Sequence, residues 1–530
     1  MGGLIAWVEG SGLYTLARQL NRGLWRLWLD SVVGRAFNSS LRALWRRSGT
    51  ACIVHGIGAW MRQSFVISFF ASAISPQPSA VTAWLQRVTG PEREMFRATS
   101  VEKLLLYFVV FFVPIELWLI TLIPTSAKYL GDLALAALLV GTLIRVQQAG
   151  WPLRRTPADL PVLLLLAVAA VSTLWNAVPL HIALFGVRAY VEYYALYLVL
   201  AYIPLADRER RALLLWFIVL GVAIAIFGDA QRLLHVATPR QWLSTLEAAT
   251  TRAFGTMGNP NTFGAFLVGL LALLMSLLVM PVRGGIRFLA LAGIVIAFPA
   301  LAFTLSREAL VAAAITALCI GIIADRRVLI LVVVAALALP LLDPHVVTRF
   351  AEVLSGSYIR LSSSYGRILF WERGLQAFLA QPLVGWGPGR FGGSIAHIYG
   401  SPVYQIYKLN LNPIIDSQHV QTLVELGILG YIAYLWLGVA AWRAGLKLFH
   451  GDRDPFWRAM GLALAAGTLG LWIQSLFASL LETHQVIVVF WMLFGMVAYR
   501  LRTLERARSA GQTEWAETAT DQVGVSGQSS

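Results

Sequence analysis

An arginine beside a glycine-rich turn is the first candidate for chemistry in this sequence. The segment TRAFGTMGNPNTFGAF places Arg252 before a turn that contains Gly255, Gly258 and Asn259, and a helix is expected to follow. Backbone amides of such a turn at a helix N-terminus form a concave anion site, and an adjacent guanidinium adds further donors. The alternative is an ordinary turn in which Asn261 or Thr262 caps the helix.

A second group of candidates lies in the stretch 365–430, a long polar excursion between apolar runs. Arg367 falls in a predicted helix at 364–380, and Asp416 and His419 stand just before the next apolar run. Carboxylates and imidazoles are common general bases. These two side chains could therefore hydrogen-bond to each other or activate a hydroxyl group, and a purely structural pair is the alternative.

Two further arginines are candidates because charges inside or at the edge of apolar segments usually serve a purpose. Arg188 and Glu192 are four residues apart in an apolar run, so a helix places them on one face. They predict either a mutually neutralising pair or an arginine that faces a polar cavity and binds an anion. In TLSREAL, Arg307 is expected at a helix start, either as an anion-binding group or as a simple surface residue after a Ser306 cap.

The composition shows what must position these residues. Of 530 residues, 58% are hydrophobic and only 13% are charged, which excludes a soluble globular protein. The net charge of +15 does not predict nucleic-acid binding, because Lys and Arg lie between apolar runs, where they report membrane orientation. Cys52 and Cys319 lie far apart, so their spacing offers neither a disulfide framework nor a metal site.

Apolar runs of about 20 residues predict an all-α, polytopic membrane protein. Twelve spans are expected near 104–123, 130–145, 160–177, 181–203, 212–233, 261–281, 288–305, 308–324, 328–342, 421–442, 459–481 and 485–501. Basic residues concentrate in alternate short loops, so the positive-inside rule predicts that both termini are cytoplasmic and that the 343–420 loop is external.

The ends of the chain differ from this membrane core, which spans 101–503. Residues 1–100 carry tryptophan and leucine opposite arginine at helical spacing, which is typical of helices in the membrane interface or of amphipathic helices packed on their own protein. Residues 504–530 become rich in Ser, Thr, Gln and Gly and predict a disordered tail.

Four blocks in this order resemble the O-antigen ligase/polymerase family of bacterial membrane glycosyltransferases, over roughly residues 104–500. They are Arg252 with GNPN, then LSRE, then GR…W…P…GWGPGRF, and DSQHVQ…ELGILG. The resemblance implies transfer of a glycan from an undecaprenyl-diphosphate donor to a glycan or lipid acceptor at the outer face of the cytoplasmic membrane, without metal or cofactor. It also implies that Arg252 and Arg367 hold the diphosphate, with Arg307 and Arg188 as further candidates.

The sequence departs from the ligases of this family at one position. Counting back from Glu425 and Gly427, the ligase histidine falls on Asp416, and an aspartate there is familiar among polymerase-like members. Asp416 is therefore the expected base, oriented or assisted by His419. A transporter or flippase of polyprenyl-linked sugars is the alternative function, although no internal repeat of the kind common in transporters is evident.

Overall fold

The computed structural model describes residues 98–120, 129–148, 155–239, 251–353, 355–409 and 414–526. This part of the chain contains helices and no strand, which confirms the all-α class. The first half consists of α1 (Ser100–Phe112), α2 (Glu116–Ile120), α3 (Leu130–Gln148), α4 (Asp159–Trp175), α5 (Leu180–Val191), α6 (Tyr194–Tyr202), α7 (Asp207–Leu233), α8 (Pro260–Val279), α9 (Gly284–Phe303) and α10 (Arg307–Ile323).

The second half carries the helices of the long polar segment and the last apolar ones. They are α11 (Arg327–Leu342), α12 (His345–Val353), α13 (Gly356–Tyr365), α14 (Arg367–Ala380), α15 (Ser394–Tyr399), α16 (Pro402–Ile406), α17 (Gln418–Gly451), α18 (Pro455–Gln474) and α19 (His484–Ser526). The predicted interfacial helices at the N-terminus lie outside the described residues, except for positions 98–100. The last helix continues through most of the segment 504–530.

Eight helical segments of the described residues are long and apolar enough to cross a membrane, which supports an integral membrane protein. Counting two bent pairs as single spans gives ten: α5 with α6, bent by 49°, and α11 with α12, bent by 102°. Each of the twelve predicted spans falls on these helices or on α4 and α10, which have 17 residues each. The count of twelve is not confirmed, because 17 residues lie at the lower limit for a span.

Close helix contacts in the centre of the bundle depend on small residues. A Cβ on Gly445 of α17 would lie 2.5 Å from the carbonyl oxygen of Gly461 on α18, and the reverse distance is 2.6 Å. Small residues let two backbones approach in this way, and such packing is what drives helix association in lipid. The helices α8, α18 and α19 are the most deeply buried of the spans.

The two ends of the bundle differ in the residues that stabilise them: ion pairs at one end and a small apolar core at the other. At the C-terminal end of α17, Asp452 accepts a hydrogen bond from Arg500 of α19 at 2.6 Å, and Arg211 of α7 pairs with Asp454. The opposite end, where α17 begins, carries the polar segment with its own small apolar core. That core includes Ala377, Phe391, Ala396, Val403 and Tyr404.

Candidate active site at the start of α17

Three elements bring Arg367, Asp416 and Glu308 together. Arg367 is the first residue of α14, Glu308 lies in the first turn of α10, and Asp416 precedes the N-cap of α17. The Arg367 Nη2 atom lies 3.5 Å from Asp416 Oδ2 and 3.7 Å from Glu308 Oε1. Glu308 is buried, whereas the Asp416 side chain is 48% exposed. The cluster therefore has one accessible carboxylate.

The protein around Asp416 changes its acidity. Although about half of the Asp416 side chain is accessible, the surrounding protein desolvates its carboxyl and so raises the pKa; the Arg367 guanidinium opposes the rise and the Glu308 carboxylate adds to it. A higher pKa makes the carboxylate a better proton acceptor. Its position is fixed because the Ser417 side chain caps α17, accepting from Val420 N at 3.3 Å.

Arg252 joins the same end of the bundle, but it is buried and bonded to protein acceptors. Its Nε atom donates to the carbonyl of Thr304 at 2.8 Å, and its Nη2 atom donates to Asn261 Oδ1 at 2.9 Å. Thr304 lies in the turn that precedes Arg307, so Arg252 ties that turn to the start of α8. The cap of α8 is Asn259, whose Oδ1 accepts from Asn261 N at 2.8 Å, and not Asn261 or Thr262 as the sequence alternative had it.

Arg307 is the first residue of α10 and extends towards α12. Its Nη1 atom donates to the carbonyl of Arg349 at 2.8 Å. The expected Ser306 side-chain cap does not form. Instead, the Ser306 backbone N–H donates to Thr304 Oγ1 at 3.1 Å, so the Thr304 side chain provides the acceptor for this N–H group of the turn.

Arg188 belongs to a separate ionic network. Its Nη2 atom lies 2.6 Å from Asp132 Oδ2 and 2.7 Å from Glu192 Oε1, so the pair expected from the sequence is formed. Glu192 Oε2 in turn lies 3.2 Å from Nε2 of His484. The structure therefore brings Arg252, Arg307, Arg367 and Asp416 to linked turns and leaves Arg188 among its own carboxylates.

Both ring nitrogens of His419 are engaged within the helix bundle. Nε2 lies 3.0 Å from the carbonyl of Trp472 and 3.0 Å from Ser475 Oγ, and Nδ1 lies 2.9 Å from Tyr431 Oη. A carbonyl can only accept, so the network assigns the proton to Nε2 and lets Nδ1 accept from the tyrosine. None of these bonds reaches Asp416.

A break in α17 is the feature that sequence reasoning missed. At Gly427 the backbone has φ 64° and ψ −166°, and the polar segment fills the gap. Gly387 N–H donates to the carbonyl of Glu425 at 2.9 Å, and Ile428 N–H donates to that of Pro382 at 2.8 Å. These bonds satisfy backbone groups that a broken helix leaves without partners.

Glu425, just before the break, holds the same segment by its side chain. The fully buried carboxylate accepts from Tyr190 Oη at 2.9 Å and from the N–H of Phe391 at 3.0 Å. The sequence signal was the ELG motif, which served above only to align the position of Asp416. Among the residues that the structure describes, no group of three His, Cys, Asp or Glu side chains is arranged to hold a metal ion.

Comparison with known families fits this arrangement. Residues 292–435 match the family model described as O-Antigen ligase. The matched segment contains Arg307, Arg367, Asp416 and His419, whereas Arg188 and Arg252 precede it. A comparison with curated proteins found no match. The family match confirms the resemblance.

Proposed function

We propose that the protein is a membrane glycosyltransferase of cell-surface polysaccharide biosynthesis, because residues 292–435 match the family model described as O-Antigen ligase. It transfers or polymerises glycan chains from an undecaprenyl-diphosphate-linked donor to a glycan or lipid acceptor. The reaction takes place at the outer face of the cytoplasmic membrane and needs no metal. In this orientation the start of α17 faces outwards and both termini are cytoplasmic.

The observation that carries the proposal is an arginine at a helix start beside an accessible carboxylate. Arg367 begins α14 and lies 3.5 Å from Asp416. The positive end of a helix macrodipole attracts anions, so a diphosphate bound at this helix start would meet both the dipole and the guanidinium. Arg307 repeats this placement at the start of α10, next to Glu308. Two arginines at neighbouring helix starts, which are linked by the contact between Arg367 and Glu308, suit a diphosphate leaving group.

The proposed chemistry is a single displacement at the anomeric carbon of the donor. Asp416 accepts the proton of an acceptor hydroxyl, whose oxygen forms the new glycosidic bond. The bond between the anomeric carbon and the phosphate oxygen breaks, and the diphosphate leaves with the electron pair. The Arg367 guanidinium stabilises the negative charge that develops on this leaving group.

The other candidates take supporting places in the proposal. Arg252 and Arg307 contribute to the diphosphate site through the turns that they hold. Arg188 pairs with Asp132 and Glu192 and takes no direct part in this site. His419 orients the first turn of α17, because its hydrogen bonds anchor that turn to α18. Asp416 is thus the base, and His419 acts through the position of the helix.

The test uses full-length protein in nanodiscs with an undecaprenyl-diphosphate oligosaccharide. We expect a longer lipid-linked chain, or a glycan on an added acceptor, and free undecaprenyl diphosphate. Asp416→Asn should lower kcat by about 100-fold or more, as expected for a lost general base. Arg373→Gln is the matched control, because Arg373 lies on the same helix and, among the described residues, its side chain donates a hydrogen bond only to Gln376. Equal loss in both variants would contradict the assignment.

A further inference from the structure

Arg390 is a cation without a partner among the residues that the structure describes. Its guanidinium makes no ion pair or hydrogen bond there, and its Nε atom is buried and unsatisfied. Burial lowers the pKa of Arg390, and no carboxylate counters that effect. A partly buried charge of this kind lowers stability unless a partner compensates it.

The backbone on both sides of Arg390 is fixed. Before it, Gly387 N–H donates to the Glu425 carbonyl at 2.9 Å; after it, Phe391 N–H donates to the Glu425 carboxylate at 3.0 Å. The Ser401 hydroxyl donates to the carbonyl of Arg390 itself. The side chain therefore starts from a preorganised position, as a binding residue requires.

Arg390 lies beside the start of α5 and apart from the proposed reaction centre. A Cβ on Gly387 would be 2.3 Å from Val178, which precedes α5, and 3.7 Å from Cγ of Arg390. The ring of the next residue, Phe391, approaches Gly374 of α14, seven residues after Arg367. Seven residues span about 10 Å along a helix. Arg390 is thus placed to reach a different part of the substrate.

We propose that Arg390 binds an oxyanion of the glycan, a carboxylate or a phosphate group, at a distance from the reacting bond. This inference deepens the proposed function and rests on it. The guanidinium matches the two oxygens of such a group with two parallel hydrogen bonds. Because this contact is the same before and during the reaction, it acts on KM and leaves kcat nearly unchanged.

The binding test measures melting temperatures of full-length protein in phosphatidylcholine nanodiscs. Sodium glucuronate supplies the carboxylate and inorganic phosphate supplies the phosphate. We expect one of them to raise the melting temperature of wild type and Arg373→Gln but not of Arg390→Gln. Equal shifts in all three proteins, or none, would overturn the proposal. A difference that appears only with phosphatidylglycerol in the nanodisc would identify a lipid headgroup as the source and would overturn the assignment to the glycan.

The kinetic test separates binding from a structural role. Without ligand, Arg390→Gln should melt at or above the wild-type temperature, because it removes an uncompensated charge. Its KM for an acidic glycan donor should rise by about 10- to 100-fold, the range expected for a lost charge-assisted bond, and Arg390→Lys should recover part of the loss. A lower melting temperature with an unchanged KM would overturn the proposal. If wild type shows no glycan transfer but glucuronate still stabilises it through Arg390, the proposed function fails and the anion site stands.

Discussion

The break at Gly427 should make this position intolerant of any side chain. In Gly427→Ala the new Cβ would lie 2.4 Å from both the carbonyl carbon and oxygen of Leu383 and 2.6 Å from Val384 N. These are backbone atoms, so no rotamer change relieves the contact. The residue also has a positive φ, which L side chains disfavour. The polar segment must therefore move away from α17.

The expected loss follows from the contacts that this movement breaks. The backbone conformation, with φ 64° and ψ −166°, is essentially restricted to glycine and costs another residue about 1–3 kcal/mol. Loss of the hydrogen bonds to Pro382 and Leu383 adds about 1 kcal/mol each. The free energy of unfolding should fall by about 3–5 kcal/mol, which corresponds to a lower melting temperature on the order of 10 °C.

A matched control separates the cost of a positive φ from the cost of the steric contact. Gly258 has φ +67°, and a Cβ added there would meet no atom within 4 Å. Gly258→Ala therefore loses stability only through its positive φ. Melting of both variants in detergent gives the comparison, and limited trypsin digestion after Arg390 reports release of the segment. This explanation is refuted if Gly427→Ala melts at the same temperature as Gly258→Ala and resists trypsin like wild type.

Two further predictions concern the site. Desolvation by the surrounding protein raises the pKa of Asp416, so transfer should fall as the pH drops through a midpoint above the ordinary value of about 3.9. Glu308→Gln removes a like charge and should move this limb to lower pH, and an unmoved pH profile would speak against Asp416 as the base. In Glu425→Gln, one of the two buried donors, Tyr190 Oη or Phe391 N–H, would face the amide nitrogen instead of an acceptor. Thermal melting should therefore show that the free energy of unfolding falls by about 1–3 kcal/mol. Unchanged stability would show that the carboxylate does not anchor the segment.

The helices could be predicted from the sequence because apolar runs determine them locally. The predicted helix at 364–380 corresponds to α14, and its true start is one residue after Gly366. The bend between α5 and α6 could not be predicted, since both helices lie in one continuous apolar run. A span count from hydropathy therefore treats bent and short helices as full spans.

The site was only partly predictable, because its contacts join distant segments. The chemical types of Arg367 and Asp416 marked them as candidates in the sequence. Their proximity to Glu308 arises from the packing of three helix starts and could not be inferred from it. The expected link between Asp416 and His419 rested on their spacing. In the structure, the His419 imidazole instead hydrogen-bonds to the carbonyl of Trp472 on α18, a contact that the sequence around His419 does not predict.

The most direct test of the central claim is product analysis with purified wild-type protein and Asp416→Asn. Both are incubated in nanodiscs with a radiolabelled undecaprenyl-diphosphate oligosaccharide and a glycan acceptor. We expect transferred glycan and released undecaprenyl diphosphate with wild type, and a strong loss of both with the variant. An unchanged donor with folded wild-type protein, or full transfer by Asp416→Asn, would contradict it.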